Sequence, residues 1–113
     1  YSWLERDYKI EEAIKMLEIA YEAESEDPYI IDSIGWAYYL VDDYLKAEKF
    51  LNIAVQLMPD DPIVNDHYGD ILWKLDRKIQ ARYFWKNVLQ MKDVEKEMIK
   101  NINIKLIYGL DNS

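Results

Sequence analysis

The chain contains no cysteine, which excludes disulfides, thiolate zinc sites and a cysteine nucleophile while saying little about compartment. Three glycines and three prolines leave little material for turns between strands. No apolar run approaches the roughly 18 residues of a membrane span. Positive charge is the minority sign: 14 Lys and Arg against 22 Asp and Glu give a net charge of −8. That balance repels phosphate backbones and argues against binding nucleic acid or anionic membranes. The first residues, YSWLERDYK, have neither the basic n-region nor the apolar h-region of a signal peptide. Any targeting signal would precede Tyr1, so the compartment stays open between cytoplasm and periplasm.

What is present reads as helix throughout. The 113 residues are 50% hydrophobic, enough for one domain with a real core rather than a disordered tail. Lys outnumbers Arg by 11 to 3, and Ile, Asn and Tyr are abundant, a composition that hints at an AT-rich, bacterial genome.

Residues 27–47, DPYIIDSIGWAYYLVDDYLKA, return 34 residues later as DPIVNDHYGDILWKLDRKIQA. Asp27/Asp61, Pro28/Pro62, Asp32/Asp66, Gly35/Gly69, Asp42/Asp76, Ala47/Ala81, Phe50/Phe84 and Gln56/Gln90 all match at that offset. One step back, Ala13, Leu17 and Ala20 fall on Ala47, Leu51 and Ala54. A period of this size points to a stacked repeat. Each matched residue has a physical role. Asp27 and Asp61 are placed as N-caps, each contributing about 1 kcal/mol over Ala. Pro28 and Pro62 follow at the first helical position, where the missing N–H costs nothing. Gly35 and Gly69 sit inside helices at a cost of about 1 kcal/mol each, which close helix–helix approach explains. Ala13, Ala47 and Ala81 do the same on the second helix of each pair.

The pattern predicts helices near 9–24, 28–41, 44–57, 62–75, 78–91 and 94–108, with a helical stub at 1–6. Polar turns are expected around Asp7–Lys9, Asp42–Asp43 and Asp76–Lys78, and an inter-repeat turn at ESEDP, Glu24–Pro28. Connections this short make neighbouring helices antiparallel.

These residues resemble the tetratricopeptide repeat (TPR) family. Ile31, Ile34, Gly35 and Tyr38 match its helix A, and Ala47, Leu51, Ala54 and Pro59 match helix B and the close of the unit. The second unit supplies Asn65, Tyr68, Gly69, Leu72, Ala81, Trp85 and Val88. Asn65 in place of a large apolar residue and Asp93 in place of Pro mark it as degenerate. The resemblance covers residues 1–93 and implies an all-α, right-handed superhelical stack of antiparallel helix pairs. Its expected organisation is a single domain: a partial repeat at 1–27, a full repeat at 28–61, a degenerate repeat at 62–93 and a capping helix at 94–110. Because Tyr1 aligns with Gly35, the chain reads as a C-terminal fragment of a longer array. The capping helix carries Val94, Met98, Ile102 and Leu106 on one stripe, with Lys96, Lys100 and Lys105 off it.

In TPR proteins the A helices line a concave groove that takes an extended peptide or a partner's helix. Carried over by position, that face holds Tyr29, Asp32, Trp36 and Tyr39, then Asp66, His67, Asp70 and Trp73. Asp32, Trp36 and Tyr39 are spaced i, i+4, i+7, as are Asp66, Asp70 and Trp73, so each trio shares a face. The expectation is an acidic groove with aromatic walls that takes a basic protein segment, Trp36 and Trp73 making cation–π contacts. Packing is the competing reading for the aromatics, and it is the default for Tyr38, Tyr44, Phe50, Phe84 and Trp85. The carboxylate clamp of some TPR domains uses Lys, Asn and Arg on the A helices. Asp32, Trp36, Asp66 and Asp70 stand at the comparable places and would repel a carboxylate.

No reaction centre stands out. His67 is the sole histidine, and Asp66 and Asp70 beside it make a poor preformed metal site. Neither a nucleophile–base pair nor a phosphate-cradling glycine loop is visible. The expected function is a non-catalytic protein–protein interaction module with no cofactor and no metal. The alternatives are a scaffold that self-associates through its exposed N-terminal helix edge, or an accessory arm of a larger enzyme.

Overall fold

The computed structural model describes residues 3–23 and 27–110. Among them are six α-helices and no strand: α1 (Trp3–Ala23), α2 (Pro28–Leu40), α3 (Tyr44–Leu57), α4 (Pro62–Lys74), α5 (Lys78–Leu89) and α6 (Lys96–Tyr108). Successive helices pack on one another in chain order, and α2 also meets α4. The 34-residue register persists to the end, since α2, α4 and α6 begin at 28, 62 and 96.

The caps explain the repeated aspartates. Asp27 accepts a hydrogen bond from the Tyr29 N–H, and Asp61 from the N–H groups of Ile63 and Val64. Asp42 and Asp76 occupy the left-handed region, at φ 65° and 64°, which short polar side chains tolerate better than most. They close α2 and α4 by letting the next N–H, of Asp43 or Arg77, reach back to the Tyr38 or Leu72 carbonyl at 2.9 Å. Asp43 then caps α3 through the Lys46 N–H.

The same logic corrects the expectation for the first unit. No turn forms at Asp7–Lys9, and the stub expected at 1–6 is, from Trp3 on, the start of α1. Tyr8 stands where Asp42 and Asp76 turn the chain, and Lys9 where Asp43 caps. A tyrosine resists the left-handed conformation that Asp42 and Asp76 adopt, so the helix runs straight through. Of the ESEDP turn, residues 24–26 lie outside the described residues, as does Tyr1.

The core follows the repeat. Ala47, Leu51 and Ala54 of α3, and Ala81, Trp85 and Val88 of α5, are fully buried. A Cβ at Gly35 would overlap Leu51 Cδ2, and one at Gly69 would overlap the Trp85 indole, so both glycines mark close helix crossings. Trp85 is core, as expected, and Tyr38, Phe50 and Phe84 pack against it partly buried. Asn65 turns out to be structural. Buried at 1% exposure, it donates from Nδ2 to the Pro59 and Asp61 carbonyls at 3.0 and 2.8 Å, tying down the turn between units. α6 closes the stack through fully buried Ile102, with Val94, Met98 and Leu106 packed beside it.

Candidate functional site

The face formed by α2, α4 and α6 divides into two parts around α4. Toward α2 lies an aromatic cluster. The Trp36 ring stacks between Tyr39 and His67, at centroid separations of 4.5 and 4.0 Å and interplanar angles of 16°. His67 Nδ1 lies 3.0 Å from Asp32 Oδ1. Asp32, Trp36, Tyr39 and His67 are all half-buried, and Tyr29 projects from the start of α2 with 65% of its surface exposed. Burial, with Asp70 next in weight, pushes the Tyr39 hydroxyl well above its ordinary pKa, so it stays a neutral hydrogen-bonding group at physiological pH.

Toward α6 the aspartates are held internally. Lys105 Nζ donates to Asp66 Oδ1 at 2.8 Å and to Asp70 Oδ1 and Oδ2 at 2.9 and 3.2 Å. Trp85 Nε1 adds a buried hydrogen bond to Asp70 Oδ1 at 3.1 Å. Burial wins at Asp70, whose carboxyl is driven up to about 6, Asp66 adding to the rise and Lys105 opposing it. At Lys105 burial pulls the pKa down, but its two carboxylate neighbours outweigh that and hold it above the usual lysine value. The asymmetry has a simple cause: the ammonium faces two anions, while Asp70 faces one cation and one anion.

This geometry revises the expected groove in two ways. Asp70 and Trp73 are not groove-lining: they are 7% and 6% exposed. Trp73 packs within 5.5 Å of Trp85, and the backbone of Gly109 lies so close to its ring that a Cβ there would collide with it. Gly109 holds φ at 73°, a conformation that suits glycine. The segment after α6 therefore covers the face that the spacing of Asp66, Asp70 and Trp73 assigns to the groove. Second, the acidity is largely compensated, since Asp32 faces His67, and Asp66 and Asp70 share Lys105. The residue that the sequence reading placed outside the site is Lys105. Its signal was present: at the 34-residue register it stands on Ile71 and Ala37, both buried, and a lysine in such a slot requires internal counter-charge.

Beside this network a cleft of about 420 Å³ opens between α4 and α6, its walls including Asp66, Glu97, Met98, Asn101, Ile104 and Lys105. Among the described residues no group of three His, Cys, Asp or Glu side chains could hold a metal ion, and no helix is long and apolar enough to cross a membrane.

The raised Asp70 pKa predicts a pH dependence. A carboxyl whose pKa is higher folded than unfolded contributes stability that is complete below its unfolded value, near 4, and lost as pH rises through about 6. Asp70→Asn keeps an acceptor for Trp85 without the charge. It is expected to match the parent in urea unfolding below about pH 4 and to exceed it by about 1–2 kcal/mol above about pH 6.

No protein-family model and no curated protein matches the sequence. Among the solved structures that share its architecture are two TPR domains. The first TPR of Spaghetti (RPAP3) bound to the HSP90 peptide SRMEEVD has a TM-score of 0.76 at 20% identity, covering 88% of this chain and 79% of that one. The NMR structure of the first TPR domain of human RPAP3 has a TM-score of 0.77 at 20% identity, covering 95% of this chain and 84% of that one. With every described helix pairing in sequence order and glycines at the crossings, the chain has the TPR fold: an all-α superhelical stack of antiparallel helix pairs.

Proposed function

We propose that this domain is a non-catalytic protein–protein interaction module whose concave face binds a peptide or helix of a partner protein. The observation that carries the reading is the half-open stack of Tyr39, Trp36 and His67, with exposed Tyr29 on the same helix and Asp66, beside His67 in sequence, in the wall of the cleft at α6. Rigid aromatic surface is ready to bury apolar contacts at low entropic cost, the usual makeup of an interaction hot spot. Asp32, bound to His67, and Asp66, at the cleft edge, supply polar anchors on either side. Asp70 and Trp73 act beneath the surface by holding α4 against α5 and α6.

The partner segment we propose is basic. The peptide in the first RPAP3 structure ends in EEVD, whereas this chain carries a net charge of −8 and lines its cleft with Asp66, Glu95 and Glu97. Lys105 already shows the chemistry that the aspartates accept, an ammonium shared between two carboxylates. A basic ligand binds in addition to Lys105, through Glu95 and Glu97, with the open edge of the Trp36 stack as its apolar contact.

Titrating labelled Lys/Arg-rich and acidic peptides against the domain tests this. The basic set is expected to bind more tightly, and Trp36→Ala to weaken it by about tenfold or more. Trp36→Ala is also expected to cost less stability than Trp73→Ala, which removes a core side chain worth about 3–5 kcal/mol. Tighter binding of the acidic set would reverse the proposed polarity, and unchanged affinity in Trp36→Ala would move the site elsewhere.

A further inference from the structure

His67 is the sole histidine, and its surroundings decide what each ring nitrogen does. Nδ1 lies 3.0 Å from Asp32 Oδ1. An ionised carboxylate has no proton to give, so Nδ1 carries the hydrogen and the neutral ring keeps its lone pair on Nε2. Among the described residues Nε2 has no hydrogen-bond partner, and the buried side-chain nitrogen left without one is Trp73 Nε1 instead. Nε2 therefore meets solvent, on a side chain that is 20% exposed and whose ring is fixed by stacking on Trp36. The charged and titratable groups around it come from three helices. α2 brings Asp32 and, across Trp36, Tyr39. α4 itself adds Asp66 and Asp70, and α6 adds Lys105, which bonds to both.

We infer that the Asp32–His67 pair reads the charge of the partner on the concave face: with the ring neutral it takes an N–H of a Lys or Arg side chain at Nε2, and with the ring protonated it releases that side chain. The inference deepens the proposed function and rests on it. While the ring is neutral, Asp32 is hydrogen-bonded but keeps its charge, so a cationic donor finds an acceptor beside an anion. One proton reverses both. Nε2 becomes a second donor facing the partner's donor, and the imidazolium completes the compensation of Asp32. Histidine makes that change between about pH 5 and 8, where the partner's Lys and Arg stay charged. Asp70, raised to about 6 chiefly by burial, titrates in the same range and is the group to separate from His67.

The test titrates a labelled Lys/Arg-rich peptide, free of His, Asp and Glu and with blocked termini, against the whole chain at about pH 7.5 and about pH 5.5. Binding is expected to weaken about tenfold or more at the lower pH. His67→Phe keeps an aromatic ring against Trp36 and His67→Gln keeps a polar side chain, but neither titrates. Both should bind within about twofold at the two pH values, while Asp70→Asn keeps the full pH dependence. Because the chain has a single histidine, nitrogen NMR reports its state directly. The Nδ1–H tautomer is expected in the free protein, with an Nε2 signal that shifts on adding peptide at the higher pH. Circular dichroism should show the same helix content at both pH values. Equal affinity of the parent at both would overturn the inference and leave the concave-face reading intact. So would a pH dependence that survives in both His67 variants or vanishes in Asp70→Asn, an Nε2–H tautomer, or loss of helix at the lower pH. No binding of the basic peptide at either pH would overturn the reading and the inference together.

Discussion

Lys105→Met is expected to destabilise the fold by about 2–4 kcal/mol at neutral pH, a large change from one side chain on the last helix. The methionine keeps most of the apolar stem but leaves Asp66 and Asp70 facing each other without a cation. The side chains of Lys105, Asp66 and Asp70 are 19%, 18% and 10% exposed, so water cannot screen the loss fully. The lower end of the range reflects the solvent that does reach Asp66. Two controls isolate the electrostatic origin. The deficit should shrink as pH falls from about 7 toward about 4, because Asp70, already raised to about 6 in the parent, protonates readily once the ammonium is gone. Adding Asp70→Asn should recover a good part of it at neutral pH. Urea unfolding of the single and double variants at both pH values decides the matter. A deficit independent of pH and untouched by Asp70→Asn would mean that Lys105 acts through its stem alone.

The second large effect is steric. Gly69→Ala gains about 1 kcal/mol of helix propensity but drives a methyl into the Trp85 indole, whose Nε1 and Cδ1 are the nearest atoms. That ring is fully buried and held by Asp70, so displacing it breaks a buried hydrogen bond as well as the packing. A net loss of about 2–3 kcal/mol is expected. Gly35→Ala meets chiefly the end of the Leu51 side chain, which can change rotamer, and should cost less than about 1 kcal/mol. The ordering is the informative result. Equal losses in calorimetry or urea unfolding would show that the indole is no more fixed than the leucine.

Much of this fold is legible in the residues, for identifiable reasons. Asp27 and Asp61 cap, Pro28 and Pro62 start helices, and Gly35 and Gly69 permit crossings; these are local constraints that each residue type answers directly. α6 keeps the same register with none of those residues, carrying Glu95, Lys96 and Asn103 where Asp, Pro and Gly stand earlier. Its place was therefore readable from its apolar stripe and not from identity. The straight course of α1 was readable too, in Tyr8, but as a missing aspartate rather than as anything present.

The site was less legible because periodicity tells which residues share a face and not what lies over it. Asp66, Asp70 and Trp73 do share a face of α4, and the helix spacing that grouped them is sound. What covers two of them is Lys105 and the backbone at Gly109, about 35–40 residues further along the chain. Trp36 and Tyr39 occupy the matching places on α2, but there the stacking partner is His67 and the stack stays half-open. The two units thus begin from the same spacing and end as packing in one and candidate surface in the other.

Because each helix leans chiefly on the one before and the one after, most contacts join parts of the chain that are near in sequence. Such a molecule need not wait for its distant ends to find one another, so it should assemble quickly, growing outward from any hairpin that forms first. The reverse also follows: loosening begins at the margins, and among the described helices α1, which rests chiefly on α2 with one edge contact from Tyr21 to Phe50 of α3, is the margin where unravelling starts.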